Sequence, residues 1–315
     1  MKVSVSIATY NGEPYIKQQL ESIINQIHKP DEIIICDDGS SDRTLSVIKN
    51  VKQKTQVEIK LYENKKRLGY SKNFEKALGI SKGDIIFMSD QDDFWFEDKI
   101  SKVVDKIDCR DESVIINDCY FTDENLKIDG ETKLERIRRY GLDDTSFVSG
   151  CCTAISGKIK PLILPIPTEH FTYDDWIHKV SHKISKRKII EEPLQLYRIH
   201  GKNTSDSRVN QKSKFFTLEK FSKKIRTDLN RELNKKINNL ELIHKRLEEK
   251  SEFDLLDTEE TLRGITREIE LSKTRSHCRK QAFARRAALS IQMFYDGKYS
   301  HFNGWKSMLR DVAAL

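Results

Sequence analysis

Three carboxylates lie within four residues directly after an apolar run that is typical of a strand. The run is residues 85–88, and the acids that follow are Asp90, Asp92 and Asp93. Negative charge concentrated in this way is best tolerated when a cation neutralises it. Oxygen ligands at an Asp-x-Asp spacing suit Mg²⁺ or Mn²⁺, which fill their remaining positions with water and phosphate oxygens. We therefore predict a metal and diphosphate site; the alternative is an acidic loop that caps a helix beginning near Phe96.

The first 110 residues predict the elements that would position this site. Short β-branched runs alternate with amphipathic stretches, and unbroken apolar runs such as residues 32–36 are typical of strands covered on both faces. The repeated strand–helix cycles describe half of a doubly wound α/β sheet, in which ligands lie beyond the carboxyl ends of the strands. Thr9, Asp38 and Asp90 each follow such a strand, so we expect them to face one crevice.

The turn at residues 37–42, Asp-Asp-Gly-Ser-Ser-Asp, has two interpretations. Asp38 has the acceptor oxygens to take the imide N–H of a pyrimidine base or a ribose hydroxyl. Turn and helix-capping chemistry explains Gly39 and Asp42 without any ligand. It gives no structural reason for Asp37 and Asp38, which favours a role in binding.

The charge distribution predicts a boundary near residue 210. Residues 1–200 hold 31 Lys and Arg against 33 Asp and Glu, whereas residues 201–315 hold 25 against 16. We predict a catalytic domain at 1–210, with a nucleotide-binding half at 1–110 and an acceptor-binding half at 111–210, and a helical basic region at 211–315. The acceptor half has strand candidates at residues 114–117, 147–149, 153–156 and 188–190. From residue 212 onward, apolar residues recur at spacings of three and four, which predicts the inward face of a packed helix.

Three motifs occur in an order that resembles glycosyltransferase family 2. They are Thr9-Tyr10-Asn11, Asp37-Asp38-Gly39-Ser40 and Ser89-Asp90-Gln91-Asp92-Asp93, and residues 64–78 resemble the segment that links the last two. The resemblance covers about residues 3–205. It implies the α/β GT-A fold, a nucleotide-diphospho-sugar transferase fold with a doubly wound mixed sheet, here followed by a C-terminal helical extension. It also implies an inverting transferase.

The resemblance assigns roles to particular side chains. Asp92 would be the main ligand of Mn²⁺ or Mg²⁺, joined by Asp90 and by His200 of the Tyr-Arg-x-His segment; a lone histidine is otherwise more often a surface or packing residue. The donor nucleotide would contact Thr9, Tyr10, Asn11, Asp38, Asn73 and Asp90. The acceptor side would include Gly150, Asp174 and Trp176.

Inversion requires a general base that removes the proton of the attacking hydroxyl. Residues 173–176, Tyr-Asp-Asp-Trp, occupy the place of the family's paired acids, of which the second is the base, so the resemblance assigns Asp175. Thr172 and Asp175 also have the spacing of a near capping box. Both interpretations can hold, because a carboxylate at a helix N-terminus is favoured in its charged form.

Two absences narrow the expected activity. The sequence has neither the Gln-x-x-Arg-Trp motif nor the membrane span that mark processive polysaccharide synthases of the family, so transfer of a single sugar is expected. Residues 90–95, Asp-Gln-Asp-Asp-Phe-Trp, most resemble bacterial rhamnosyltransferase-like members, which points to a dTDP-sugar, with a UDP-sugar as the alternative. The expected acceptor is a glycan linked to polyprenyl diphosphate, in bacterial surface polysaccharide synthesis.

Composition predicts a cytoplasmic protein that can lie on the inner membrane. The chain starts without the layout of a signal peptide, and the spacing of its six cysteines matches no zinc site. A basic stretch with interleaved apolar residues could lie on an anionic bilayer; a solvated helix face or a dimer contact is the alternative. Its basic residues are Lys273, Arg275, Arg279, Lys280, Arg285 and Arg286, and the interleaved and following apolar residues are Phe283, Leu289, Ile291, Met293, Phe294, Trp305 and Leu309.

Two rival functions remain at this point. A nucleic-acid-binding protein would use the basic C-terminal region, but the region has no recognised nucleic-acid motif and no nucleic acid is expected as partner. A non-catalytic scaffold of the same fold would organise other transferases, but the full set of motif acids argues against it.

Overall fold

The structure, a computed structural model, describes residues 1–201, 203, 229–250, 258–300, 302 and 304–312. The chain divides into two compact units, Met1–Lys212 and Ser213–Leu315. The start of the predicted helical region, up to residue 228, lies outside the described residues. In the part of the chain that is described, no helix is both long and apolar enough to cross a membrane.

One mixed sheet organises the first unit. Its strands among the described residues are β1 (Val3–Thr9), β2 (Glu32–Asp37), β3 (Glu58–Glu63), β4 (Ile85–Ser89), β5 (Phe94–Trp95), β6 (Val114–Thr122), β7 (Ile128–Thr132), β8 (Thr153–Ser156) and β9 (Arg187–Arg198). Their order is β3-β2-β1-β4-β8-β6-β9-β5, and β7 pairs with β6 outside this path. The helices of this unit are α1 (Ile16–Ile24), α2 (Thr44–Gln53), α3 (Tyr70–Ile80), α4 (Lys99–Val104), α5 (Lys133–Arg139), α6 (Lys160–Ile163) and α7 (Tyr173–Lys183).

The first four strands of this order are parallel, as the apolar runs predict. Thr9 pairs with Asp37 across β1 and β2, and Ile7 pairs with Ser89 across β1 and β4. Every residue of β2 and β4 is buried, because helices cover both faces of the sheet. The register therefore brings the carboxyl ends of β1, β2 and β4 side by side. Beyond β4 the sheet becomes mixed, since β8 runs antiparallel to both β4 and β6.

Two local expectations were wrong. Residues 147–149 do not form a strand; they lie between short 3₁₀ turns at Asp144–Ser146 and Gly150–Cys152, and the amide of Phe147 bonds back to the carbonyl of Asp144. The helix expected near Phe96 begins at Lys99 instead. The reason is that β5 pairs with the last strand, β9, so this segment extends the sheet before the helix starts.

Four helices are described in the second unit: α8 (Leu229–Glu249), α9 (Thr258–Arg279), α10 (Phe283–Tyr295) and α11 (Gly304–Val312). The apolar stripe of α8 faces inward, as its spacing predicts. The buried members of this stripe are Leu233, Ile237, Leu240, Ile243 and Leu247.

The basic stretch of the second unit is not a continuous surface stripe. Arg275, Arg279 and Arg286 are each less than 9% exposed. Arg275 and Arg279 both pair with the fully buried carboxylate of Asp311 on α11. Half of the predicted basic surface therefore serves the packing of the C-terminal helices, because a buried carboxylate requires cationic partners.

Candidate active site at the strand ends

The turn after β2 is built on Asp37. Its Oδ1 accepts a hydrogen bond from the Thr9 hydroxyl at 2.9 Å, and its Oδ2 accepts from the amides of Gly39 and Ser40 at 3.0 and 2.8 Å. These bonds join the end of β1 to the turn. Asp37 therefore has a structural role, which the sequence did not reveal: it holds the turn after β2. The hydroxyl of Thr9 is one of the groups that it binds in doing so.

Asp38 lies on the other side of the same turn and holds the following loop. Its carboxylate accepts from the Asn64 side chain at 3.0 Å and from the amides of Leu68 and Gly69 at 2.6 and 2.8 Å. Asn73 donates to the carbonyl of Cys36 at 2.7 Å and accepts from Asn64 at 2.8 Å. Both side chains are almost fully buried, so they fix the wall of the crevice.

Tyr10 and Asn11 form the rim after β1. The Tyr10 ring is 36% exposed and lies 3.9 Å beneath the guanidinium carbon of Arg67. Asn11 has a φ of 49° and accepts from the Ser41 amide at 2.8 Å. The side chain of Gln91 exchanges two hydrogen bonds with the Tyr10 backbone, at 3.0 and 3.1 Å, which ties the acidic motif to this rim. Arg67, a cation beside the expected donor position, was not singled out from the sequence.

Asp92 and His200, two of the predicted metal ligands, lie in contact. His200 Nε2 is 2.8 Å from Asp92 Oδ2, and the ring of Tyr15 stacks on the imidazole at 4.6 Å. Arg198 donates through Nε to the Asp92 carbonyl at 2.7 Å. The long β9 strand therefore brings residues from the end of the first unit to the acidic motif after β4.

Asp90 and Asp93 form a second group with the thiol of Cys151. Ligand atoms of these three residues lie within 4.8 Å of one another. Burial, followed by the charges of Asp92, Asp93 and Asp174, raises the pKa of Asp90 well above its ordinary value. Burial and the charge of Asp92 raise the pKa of Asp93 to about 7. Burial and repulsion between the acids therefore disfavour the charged forms of Asp90 and Asp93.

Nearby polar groups hold Asp93 in place. Gln195 Nε2 donates to Asp93 at 3.0 Å, and the amide of Arg198 donates at 3.2 Å. Lys99 is 1% exposed, lies 3.9 Å over the Trp95 ring and donates to the Cys151 carbonyl at 3.1 Å. Burial lowers the pKa of Lys99 to about 8. Sequence reasoning missed Lys99 and Gln195, because neither lies in a recognisable motif.

The donor set around the acidic motif fits a hard divalent cation. It offers carboxylate oxygens and one imidazole, beside the thiol of Cys151, whose pKa is raised by its contact with Cys152 and by burial. Among the described residues no lysine or arginine forms an ion pair with Asp90 or Asp93. Oxygen ligands with one nitrogen suit Mn²⁺ or Mg²⁺. The pKa values of Asp90 and Asp93 are raised first by burial and then by repulsion between the carboxylates, and a bound cation would offset both effects.

The acceptor-side residues divide into two sets. Asp174 acts on the pKa of Asp90 and accepts from the Thr172 hydroxyl at 2.5 Å, so it faces the acidic cluster. Asp175 instead forms an ion pair with Lys179, one turn further along α7, at 2.6 Å. The Asp175 amide bonds to Thr172 at 3.3 Å, which is the expected N-terminal cap of α7.

Gly150 and Trp176 contribute packing at this side of the crevice. A Cβ at Gly150 would lie 1.7 Å from the hydroxyl of Tyr173, so only glycine fits there. The Trp176 indole is 1% exposed and donates to the Ile163 carbonyl at 2.8 Å. Of the predicted acceptor-side residues, Asp174 is the one whose charge reaches the acidic motif.

Comparison with known proteins decides the family. The model of glycosyl transferase family 2 matches residues 4–159. An uncharacterized glycosyltransferase of Methanocaldococcus jannaschii is 30% identical over 230 residues, which is 69% of this chain and 78% of that protein. This chain belongs to glycosyltransferase family 2. As a family 2 member it is a glycosyltransferase, which confirms the predicted enzyme class.

Other relatives carry more specific names. A UDP-Glc:alpha-D-GlcNAc-diphosphoundecaprenol beta-1,3-glucosyltransferase of Escherichia coli is 28% identical over 66% of this chain and 82% of its own length. A dTDP-rhamnosyl transferase of Shigella flexneri is 38% identical over 31% of this chain and 36% of its own length.

A solved structure supports the fold of this family 2 chain. The mannosyltransferase of Pyrobaculum calidifontis, in complex with GDP-Man and Mn²⁺, superposes with a TM-score of 0.52 at 16% identity, covering 99% of this chain and 85% of its own. The chain therefore has the predicted GT-A fold, with a mixed sheet and C-terminal helices.

Proposed function

We propose that this glycosyltransferase moves one sugar from a nucleotide-diphospho-sugar to a glycan acceptor, with inversion at the anomeric carbon and with help from a divalent cation. The observation that carries the proposal is the cluster of Asp90, Asp92 and Asp93 at the end of β4, where burial and neighbouring acids raise the pKa of Asp90 and Asp93, and where Asp92 contacts His200. A cation and a diphosphate would together offset this charge.

Asp92 and His200 would hold Mn²⁺ or Mg²⁺, with Asp90 beside them. Their atoms are already close, at 2.8 Å between His200 Nε2 and Asp92 Oδ2, so little rearrangement is needed. When bound, the cation would act as a Lewis acid on the departing diphosphate. Arg198 would keep Asp92 in position through its bond to the Asp92 carbonyl.

The donor nucleotide would lie between the rim after β1 and the loop after β3. Tyr10 and Arg67 offer an exposed aromatic ring and a cation there, and Asp38 shapes the wall by holding the backbone of Leu68 and Gly69. Thr9, Asn11 and Asn73 support this wall through the hydrogen bonds described above. The names of the relatives favour a dTDP- or UDP-sugar, for transfer of a rhamnosyl or hexosyl group.

The general base would come from the start of α7. Asp175 holds the position that the family resemblance assigns to the base, and its carboxylate forms an ion pair with Lys179. Asp174 is a second candidate, favoured by its electrostatic effect on Asp90. The general base must lie within hydrogen-bond reach of the attacking hydroxyl of the glycan acceptor.

We further propose an acceptor linked to polyprenyl diphosphate, with the enzyme working at the cytoplasmic surface of the inner membrane in bacterial surface polysaccharide synthesis. Support comes from the Escherichia coli relative, whose name specifies a diphosphoundecaprenol-linked sugar as acceptor.

Calorimetric titration with UDP, dTDP and GDP, with and without Mn²⁺, tests the donor site. We expect one nucleotide to bind in a metal-dependent manner, and Asp92→Asn to weaken that binding by at least about tenfold, since it removes a charged ligand. Asp98→Asn is the matched control, because this acid lies near the motif but pairs with Lys102. Binding of no nucleotide, or unchanged binding by the Asp92 variant, would contradict the proposal.

A matched pair of variants identifies the base. Asp175→Asn and Asp174→Asn are compared for nucleotide binding and for single-turnover transfer. Loss of the base is expected to slow transfer by about 10²- to 10⁴-fold while donor binding persists. Normal transfer by the Asp175 variant, with the loss confined to Asp174, would move the assignment to Asp174.

A further inference from the structure

An exposed apolar stripe runs along one face of α10. At the helical period, positions 283, 287, 291 and 294 follow one another along the same face, with Tyr295 beside them. Phe283 is 64% exposed, Ile291 46%, Phe294 39% and Tyr295 84%. The adjacent face, which includes Arg286, Ser290 and Met293, is buried. A stripe of this kind exposed to water indicates an interaction surface.

The outer face of α11 has the same character. Trp305 is 55% exposed and Leu309 48%, while Ser307 and Asp311 point inward. Lys306 and Arg310 are exposed on the same helix, and the ammonium of Lys306 lies 6.0 Å from the centre of the Trp305 ring. Aromatic rings beside long cationic side chains suit the boundary between acyl chains and headgroups.

Charges around this surface have one dominant sign. Over the described residues 280–312, the exposed cations are Lys280, Arg285, Lys298, Lys306 and Arg310. The exposed acid over the same described residues is Asp296, which pairs with Lys298 at 3.1 Å. The other acid there, Asp311, is buried. An apolar surface with a basic rim is complementary to an anionic lipid bilayer.

We propose that α10 and α11 bind an anionic membrane surface, with Phe283, Ile291, Phe294, Trp305 and Leu309 entering the headgroup boundary and the basic rim contacting lipid phosphates. This inference deepens the proposed function. It rests on that function in one respect: membrane binding would bring the enzyme to the lipid-linked acceptor proposed above. The apolar residues of this surface belong to the membrane-binding stretch predicted from the sequence, but its basic rim is a different set, because Arg275, Arg279 and Arg286 are buried.

A second copy of the chain fits this surface less well. A two-fold contact would place each basic rim against its own copy, where like charges repel. Single-stranded nucleic acid could stack on the exposed aromatic rings, but it would leave Ile291 and Leu309 in water, because these side chains offer no ring on which a base can stack. A bilayer accepts aliphatic and aromatic groups alike.

Vesicle flotation with the full chain tests the proposal. Vesicles of phosphatidylcholine alone are compared with vesicles that contain about one third phosphatidylglycerol. We expect the wild type to bind the anionic vesicles at least about tenfold more tightly, with binding that weakens as salt is added. Lys306→Gln with Arg310→Gln should lower binding to anionic vesicles by about thirtyfold. Ile291→Ser with Phe294→Ser should lower it by at least about tenfold.

The matched control is Ile128→Ser with Leu142→Ser, which removes exposed apolar side chains of the first unit that are 48% and 45% exposed. This pair should bind vesicles as the wild type does. Equal binding of the wild type to neutral and anionic vesicles would overturn the proposal, as would equal losses in the control pair. The proposal would also be overturned if the wild type bound no vesicles but formed a dimer or a complex with single-stranded RNA. Disruption of that dimer or complex by Ile291→Ser with Phe294→Ser would assign the surface to that partner instead.

Calorimetric nucleotide binding by the same variants separates this inference from the proposed catalysis. Retained nucleotide binding together with lost vesicle binding supports a membrane surface distinct from the donor site. A wild type that binds vesicles but no nucleotide would contradict the proposed function and leave the membrane surface supported.

Discussion

Two pairs of carboxylates in this protein have opposite surroundings. Glu32 and Asp311 are fully buried, and each is surrounded by cations and hydroxyl donors. Asp90 and Asp93 lie at the end of β4 and face other acids. The first pair stabilises the fold, whereas burial and neighbouring acids disfavour the charged form of the second pair.

The contacts of Glu32 show what a structural acid requires. It accepts from the Ser4 hydroxyl at 2.6 Å, from Lys60 at 2.9 Å and from the Lys82 amide at 2.8 Å. Burial alone would raise its pKa, but these hydrogen bonds outweigh burial and lower the pKa to about 2. At Asp90 and Asp93 burial acts in the same direction and the neighbouring acids add to it. Perturbation of this second kind, in a crevice, is a mark of functional sites.

The largest loss of stability is expected from Asp311→Asn. The substitution leaves Arg275 and Arg279 buried without their carboxylate, and it weakens the bond from the Tyr299 hydroxyl. Removing one partner of a buried ion pair costs about 3 to 5 kcal/mol of unfolding free energy. Chemical denaturation followed by circular dichroism measures it.

Asp296→Asn is the control for this prediction, because Asp296 is exposed and pairs with Lys298 at the surface. It should change the unfolding free energy by less than about 0.5 kcal/mol. Equal effects of the two substitutions would mean that Asp311 contributes no more than a surface acid.

Much of the first unit could be predicted from sequence because its signals are local. Unbroken apolar runs predict β1, β2 and β4, and parallel strands bring their ends to one edge, which places Thr9, Asp38 and Asp90 near each other. The family motifs add His200, which the structure indeed brings to Asp92.

The remaining features depend on contacts between distant segments. Lys99 and Gln195 meet across 96 positions of the chain, and no local pattern marks either residue as part of the site. The sequence does not distinguish the roles of Asp37 and Asp38. The direction of each side chain decides that Asp37 binds the turn and Asp38 binds the loop after β3. In the second unit, the helical period alone does not show which basic residues point inward toward Asp311.

An intermediate loss is expected from Glu32→Gln. The carboxylate has a pKa of about 2 in the folded protein and about 4.3 when unfolded. Its stabilisation is therefore complete above the unfolded value and is lost as the pH falls through about 2. At pH 7 we expect a loss of about 2 to 3 kcal/mol, and almost no difference between wild type and variant below pH 2.

Urea denaturation at a series of pH values measures this difference. Glu58→Gln is the matched control, since Glu58 pairs with the same Lys60 at 3.0 Å but is 58% exposed. A loss that is the same at every pH would show that Glu32 acts through packing and not through its charge.

The smallest effect on stability, with the opposite sign, is expected from Asp90→Asn. Because burial and neighbouring acids raise the pKa of Asp90, the folded protein disfavours its charged form, and a neutral amide removes that repulsion. In the presence of a chelator at pH 7 the variant should be as stable as the wild type, or more stable by about 1 kcal/mol. Its metal-dependent nucleotide binding should nevertheless weaken.

Thermal denaturation and calorimetry on the same samples measure both the stability and the nucleotide binding of the Asp90 variant. A variant that loses both stability and binding would place Asp90 with Glu32 and Asp311 among the acids that hold the fold, and the contrast between the two groups would then rest on Asp93 alone.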